Sequence, residues 1–350
     1  MRVLAIESSC DETAAAVVRD GRWVEGNSVA SQIPLHQPYG GIVPEVASRA
    51  HVQAIVPVVK DAMEQADVGW EDIDLVAGTR GPGLAGSLLI GLNAAKAIAY
   101  ARDLPFLGVN HLEGHIYANW LVAAAEASVE PPEPRFPLLC LIVSGGHSDL
   151  VLMRDHGDLV RIGRTRDDAA GEAFDKVARI LGLGFPGGPI IQKTAESGDA
   201  TRFKLARAWL KGTYDFSFSG VKTATLRLVE SFPENDVPVA DVAAAFQESV
   251  ADVLSAKTAQ AADELGVAQV AIAGGVAANS ALRAMVRERV SIPVLLPALK
   301  YCTDNAAMIG SAAHYRFATG QRTDFDADVL ANWPVADSPS PSLARHKAFG

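Results

Sequence analysis

The residues best suited to chemistry are two histidines in Asn110-His111-Leu112-Glu113-Gly114-His115 and an aspartate far downstream in Cys302-Thr303-Asp304-Asn305. On a helix, the four-residue spacing of His111 and His115 puts both imidazoles on one face, close enough to share a metal ion. A distant carboxylate such as Asp304 can complete a mixed nitrogen/oxygen site with positions left open for water or substrate. Taken alone the pair is a weak signal, because most such pairs are ordinary surface or capping residues. Glu113 does not belong with them. At roughly 100° per residue it faces away from both histidines, and the zincin pattern H-E-x-x-H needs its glutamate one position earlier.

Three glycine-bearing turns read as following apolar strands: Ser144-Gly145-Gly146-His147, Gly184-Phe185-Pro186-Gly187-Gly188-Pro189 and Gly274-Gly275-Val276-Ala277-Ala278-Asn279. Glycine lets backbone N–H groups approach an anion or a flat ring with no Cβ in the way. Each turn alone reads first as an ordinary tight turn. Three of them, with the acidic turn Glu7 to Thr13, favour a nucleotide held between two lobes. None matches G-x-x-x-x-G-K-[ST], and no G-x-G-x-x-G follows the first strand, which disfavours P-loop and Rossmann readings. The acidic run from Asp167 to Lys176 sits at a helix start, where carboxylates commonly cap. Asp175, placed on the first turn, can alternatively accept from a ligand hydroxyl.

The elements that must hold these residues are legible in the apolar patterning. Val3–Ile6, a polar loop and Ala14–Arg19 read as strand, turn, strand, and the grammar recurs at Leu138–Val143 and Asp149–Met153. One such hairpin in each half points to a duplicated α/β architecture. Further strands are expected at Ile73–Ala77, Phe106–Val109 and Gln269–Ala273. Helices are expected at about 45–66, 84–102, 111–126, 171–183 and 239–265, with a last one from about 304 to 319. The proline-rich 130–137 marks a boundary between a first lobe, 1–128, completed by 304–333, and a second, 129–303. The Ser/Pro-rich 336–350 reads as a mobile tail without chemistry.

With 350 residues and 49% hydrophobic composition, the chain can bury a sizeable core. Its three cysteines, Cys10, Cys140 and Cys302, form no C-x-x-C pair and read as reduced thiols of a cytoplasmic protein. The start of the chain has no signal-peptide core, and the apolar run 83–100, interrupted by Asn93 and Lys96, suits a buried helix better than a membrane span. A net charge of −10 argues against a protein that coats nucleic acid unaided. RNA remains open as a substrate, because a local basic patch or a partner can supply the phosphate contacts.

In order along residues 1–335, the motifs Ile6-Glu7-Ser8-Ser9-Cys10-Asp11-Glu12-Thr13, Gly40–Glu45, Gly81-Pro82-Gly83-Leu84, His111–His115, Val143–His147, Asp167–Lys176, Phe185–Pro189, Asp215–Gly220, Gly274–Asn279 and Cys302–Asn305 closely resemble the bacterial tRNA N6-adenosine threonylcarbamoyltransferase family. Two mild departures, Ser9 and Ala277, touch no presumed ligand. The resemblance implies a two-lobed α/β fold of the actin/Hsp70/sugar-kinase type. It implies that His111, His115 and Asp304 bind one divalent metal, Fe2+ or Zn2+. Ile142, Val143, Ser144, Gly145, Gly146, Asp175, Gly188 and Asn279 would bind the nucleotide, threonylcarbamoyl-AMP or ATP, and Asp11 and Glu12 would serve catalysis. The implied reaction transfers threonylcarbamoyl from threonylcarbamoyl-AMP to N6 of the adenosine 3′ of the anticodon and releases AMP. The implied partners are tRNA, a smaller paralogous (TsaB-like) subunit and a P-loop ATPase (TsaE-like), with no membrane. The alternatives are a metalloprotease, which the histidines invite, and a kinase or ATPase of the same fold.

Overall fold

The computed structural model describes residues 1–126, 128, 130–233 and 235–336. Of the tail expected from 336 onward, 337–350 lie outside the described residues. The chain begins β1 (Arg2–Glu7), β2 (Glu12–Arg19), β3 (Trp23–Ser31), α1 (Ile33–His36), α2 (Pro44–Ala66), β4 (Leu75–Gly81), α3 (Ala85–Arg102), β5 (Phe106–Asn110), α4 (His111–Tyr117) and β6 (Val122–Ala123). It continues β7 (Leu138–Val143), β8 (Ser148–Asp155), β9 (Asp158–Arg164), α5 (Ala170–Ile180), α6 (Gly187–Ala195), α7 (Ser219–Glu230), α8 (Val239–Leu265), β10 (Gln269–Ala273), α9 (Ser280–Arg289), β11 (Val294–Leu295) and α10 (Ala306–Ala318).

Two compact units result. One comprises 1–134, 155–158 and 297–335, the other 135–154 and 159–296 together with Ala336. Among the described residues the first holds a sheet in the order β5-β4-β1-β2-β3-β6, the second a sheet in the order β11-β10-β7-β8-β9. The second order repeats the first strand for strand, apart from the added β6. In each, the leading hairpin is antiparallel, and its first strand pairs in parallel with a later strand, β4 or β10. That arrangement buries the leading strand, Arg2 at the start of β1 excepted. Val3 to Ile6 and Leu138 to Val143 have no exposed surface, as their unbroken apolar runs require.

In the first unit α2 turns Ala47, His51, Ile55, Val58, Val59, Ala62 and Met63 inward at helical spacing, packing on β2, β3 and α3. Helix α10 packs on β1, β2 and α4, which brings Asp304 back to the histidines. In the second unit α5, α6, α7 and α8 enclose Phe174, Phe216, Phe218 and Phe246.

Some expectations need correction. The helix expected over 111–126 stops at Tyr117 and is followed by 3-10 turns on either side of β6. The third strands β3 and β9, whose polar and apolar residues alternate only loosely, were not expected. The glycine turn at 184–189 follows helix α5 and leads into α6, so it does not follow a strand.

Candidate active site

Asn110 ends β5 and caps α4, its side-chain oxygen accepting from Leu112 N at 2.9 Å and Glu113 N at 3.3 Å. The cap fixes His111 as the first helical residue, with His115 one turn on. Their rings meet edge to face with centroids 4.7 Å apart. Asp304 immediately precedes Asn305, the cap of α10. Its Oδ1 lies 3.5 Å from His111 Nε2 and 3.2 Å from His115 Nε2. Metal–ligand bonds of about 2.0–2.2 Å at tetrahedral angles separate ligand atoms by roughly 3.4 Å, which matches both pairs. His115 is fully buried, and neither ring nitrogen has a hydrogen-bond partner among the described residues. The nearby Asp304 oxygen lies outside hydrogen-bonding geometry. A buried nitrogen left this way is costly, and a cation at the convergence point would satisfy Nε2. The donor set therefore fits a divalent metal that favours imidazole and carboxylate, such as iron or zinc.

Sequence reasoning missed Glu7, the last residue of β1. Completely buried, it sets its Oε2 3.1 Å from His111 Nδ1, accepts the Thr79 hydroxyl at 2.6 Å, and takes the Ser9 N–H on Oε1 at 2.5 Å. Ser9 Oγ also lies 3.2 Å from His111 Nδ1, so this departure from the family pattern, expected to be remote from the site, lies against a candidate metal ligand. Burial opposes ionisation of Glu7, but the attraction and hydrogen bond of His111 outweigh it and lower its pKa. For His111, burial likewise opposes charge, and Asp304 and Glu7 overcome it, raising the pKa to about 9. Once a cation displaces the Nε2 proton, a carboxylate on Nδ1 keeps the other proton there and would aim the Nε2 lone pair at the point where the three donor atoms converge. The available signal was a lone acidic residue ending an otherwise apolar strand.

Asp11 and Glu12 lie at the β1–β2 turn and the start of β2. Burial, followed by repulsion from Asp304, raises the Asp11 carboxyl. Burial also pushes Glu12 up to about 7; the Ser31 hydroxyl opposes the shift and Asp11 and Asp304 add to it. Glu12 Oε1 accepts from Ser31 at 2.8 Å, and its buried Oε2 has no partner among the described residues. A carboxyl that titrates near neutrality is suited to proton transfer. His51, from α2, braces this turn: Nε2 donates to the Cys10 carbonyl at 3.0 Å and Nδ1 accepts from Thr13 at 2.8 Å. Glu113 is turned away as its position required, buried and paired with Arg316 on α10.

Two of the second unit's glycine turns, 144–147 and 274–279, follow the carboxyl ends of the parallel pair β7 and β10. Ser144 N donates to His147 O at 2.9 Å, closing the turn, and Gly171 N donates to Ser144 O at 3.1 Å. A methyl on Gly171 would come within 2.6 Å of that oxygen, so α5 can press on the turn only with glycine there. Gly274 has φ +89°, and a side chain on it would strike the Val143 carbonyl. By contrast, a Cβ on Gly145, Gly146 or Gly188 would meet no described atom within 4 Å. Ile142 and Val143 are wholly buried, backbone and side chain alike, at the end of the paired β7, so they support the turn from beneath and have no exposed surface of their own.

Asp175 stands on the second turn of α5, one turn later than the sequence suggested, and accepts from Gly187 N at 2.7 Å, tying α5 to the start of α6. Asn279 caps α9 through Leu282 N and donates to Gln247 at 2.7 Å, while Ser280 N donates to Gln192 of α6. Asp167 caps α7 instead of the neighbouring α5, accepting from Phe218 N and Ser219 N. Asp168 bridges Lys176 and Lys222 at 2.8 and 2.9 Å.

Two units of repeated mixed-sheet topology place the chain in the actin/Hsp70/sugar-kinase fold class. T. kodakarensis HypF superposes with a TM-score of 0.59 at 14% identity, over 91% of this chain and 48% of that one. The Acidaminococcus fermentans (R)-2-hydroxyglutaryl-CoA dehydratase component A gives 0.51 at 15% identity, over 91% and 99%. Within that class, the chain belongs to the tRNA N6-adenosine threonylcarbamoyltransferase family, whose sequence model matches residues 24–311. Relatives bearing that name include those of Thermomicrobium roseum, 58% identical over 96% of this chain and 97% of its own, and Geobacillus kaustophilus, 51% identical over 95% and 96%.

Proposed function

We propose that the chain carries out the family's reaction with a divalent metal held by His111, His115 and Asp304. The enzyme is a tRNA-modifying transferase. It moves the threonylcarbamoyl group of threonylcarbamoyl-AMP to N6 of the adenosine 3′ of the anticodon, in tRNAs that read codons beginning with A, and releases AMP. The observation that carries the metal reading is the convergence of two imidazole Nε2 atoms and one carboxylate oxygen, with the His115 nitrogens buried and otherwise unpartnered. When bound, such a metal supplies Lewis-acid polarisation of the acyl carbonyl.

The donor is a mixed anhydride, already activated, so the protein's task is chiefly positioning. The unobstructed Cα faces of Gly145, Gly146 and Gly188 are suited to close approach of a phosphate to the backbone there. Ile142, Val143, Asp175 and Asn279 shape and brace the same turns, and Asp175 is suited to the ribose hydroxyls. The adenine amine is a poor nucleophile because its lone pair is delocalised into the ring. Glu12, half ionised near neutrality, takes its proton as the bond forms, and Asp11 tunes Glu12 by repulsion.

The enzyme works in the cytoplasm with a smaller paralogous subunit and a P-loop ATPase. Fe2+ is the preferred metal and Zn2+ the alternative. The protease reading is not favoured: Glu113, the acid that would have to activate a metal-bound water, is committed to Arg316. In a mixture of threonine, bicarbonate, ATP, companion proteins and unmodified tRNA, mass spectrometry should detect N6-threonylcarbamoyladenosine. His115→Ala should remove both the bound metal and the product. No product from the wild-type chain, where a known family member works, would defeat the assignment.

A further inference from the structure

The chain carries ten excess negative charges, yet residues 200–214 contain Arg202, Lys204, Arg207 and Lys211 and no acidic residue. Residues 204–210 have no regular secondary structure. Their side chains divide into two sets. Leu205 is buried and Phe203 half-buried, the latter packing edge to face on Phe232, and together they anchor the segment to the second unit. Arg202, Lys204, Arg207, Trp209 and Lys211 are exposed, Trp209 to 43%, unusual for a residue of that size.

The backbone is held firmly from below. Lys257, fully buried on α8, donates its ammonium to the Leu210 carbonyl at 2.9 Å and the Thr213 carbonyl at 2.7 Å, and lies 4.8 Å from the Trp209 ring centroid. Ser249 donates to the Ala206 carbonyl at 2.9 Å. Arg202 pairs with Asp241, and Arg207 with Asp252 and Glu248; Asp252 is shared with Arg289. Lys204 and Lys211 have no carboxylate partner among the described residues. Two of the strip's four cations are thus left without a carboxylate of their own. The strip presents two uncommitted ammonium groups flanking an indole that is already supported.

We infer that this strip, Arg202 to Lys211, is a contact surface for the tRNA substrate, with Lys204 and Lys211 on backbone phosphates and Trp209 stacked on an unpaired base. The inference rests on the tRNA reading proposed above. Exposed cations interleaved with an aromatic on a preorganised backbone are what single-stranded and loop RNA engages, since the phosphates need charge and every base offers a π-face. A protein partner would have to bring acids to two lysines and an apolar pocket to a tryptophan, whereas RNA carries phosphates and stacking faces together on one chain. The strip also answers how an acidic protein holds a polyanion, because only local charge matters within a Debye length of about 8 Å.

The test uses the full chain in the complete modifying mixture, with tRNA as the varied substrate, and direct tRNA binding measured over a salt series. Lys204→Ala with Lys211→Ala should raise KM for tRNA about tenfold, and should reduce the slope of log affinity against log salt by roughly 1.5–2. The kcat and the KM for threonylcarbamoyl-AMP should be unchanged. Trp209→Ala should raise the tRNA KM at least about fivefold, and Trp209→Phe should restore most of the loss. Lys204→Glu with Lys211→Glu should exceed the alanine effect. Values within twofold of wild type, with the wild type active, overturn the inference. So does weakened binding with an unchanged salt slope, which would assign the effect to folding. A wild-type chain that neither binds nor modifies tRNA would instead overturn the tRNA reading itself.

Discussion

Replacing Glu7 with glutamine changes one atom and removes one charge, yet it should disable the metal position. In this structure the carboxylate only accepts: from Ser9 N at 2.5 Å on one oxygen, and from the Thr79 hydroxyl and His111 Nδ1, at 2.6 and 3.1 Å, on the other. A glutamine must turn its NH2 toward one side. Facing Ser9, it sets two donors against each other in a site with no exposed surface. Facing His111, it favours the tautomer with the proton on Nε2, the atom that must ligate. Either outcome leaves a buried donor unsatisfied or the wrong tautomer populated, at a cost of about 1–3 kcal/mol. Loss of such a supporting carboxylate typically lowers metal affinity about 10–100-fold, and here the upper part of that range is expected because both orientations are poor. Competition with a chromophoric chelator for Zn2+ or Co2+ measures the affinity, and a denaturant melt of the metal-free chain reports stability separately. Thr79→Val, which removes one donor and leaves Glu7 charged, should cost far less affinity. A Glu7→Gln chain that binds metal within threefold of wild type would refute the idea that Glu7 sets the His111 tautomer.

Glu12 offers a pH test: its folded-state carboxyl is raised to about 7 from an ordinary 4.5, so the basic form grows with pH. The rate should climb about tenfold per pH unit below 7 and level off above it, and Glu12→Gln should abolish that limb in a pH–rate profile. The same shift means the folded chain holds this proton more tightly than the unfolded one, so its contribution to stability is present below pH 4.5 and lost as pH rises through 7. Glu12→Gln should accordingly flatten the fall in denaturation midpoint across that window. Gly171→Ala, normally worth up to about 1 kcal/mol of gain in a helix, should instead destabilise the chain and weaken ATP or AMP binding in calorimetry, because its methyl meets the Ser144 carbonyl at 2.6 Å. Arg316→Met strands the buried Glu113 carboxylate and should cost about 3–5 kcal/mol by urea unfolding, while the double change with Glu113→Leu should recover most of it.

Local periodicity carried the repeated hairpins, α8 and β10 and the shared face of His111 and His115, because these depend on which side of a strand or helix each residue occupies. The glycine turns at 144–147 and 274–279 were visible for the same reason. The family motifs singled out the candidate site residues, Asp304 among them, although nothing local ties Asp304 to the histidines. Only the packing of α10 on β1, β2 and α4 sets its oxygen 3.2 Å from His115. Other features appear only when distant segments meet: Glu7 behind His111 across 104 residues of chain, Asp167 capping α7 when it sits beside α5, and the early end of α4. An acidic residue looks the same in sequence whether it caps a helix, pairs with an arginine or aims an imidazole. Its role is decided by burial and by which donors the fold brings within about 3 Å, and that is a property of tertiary structure.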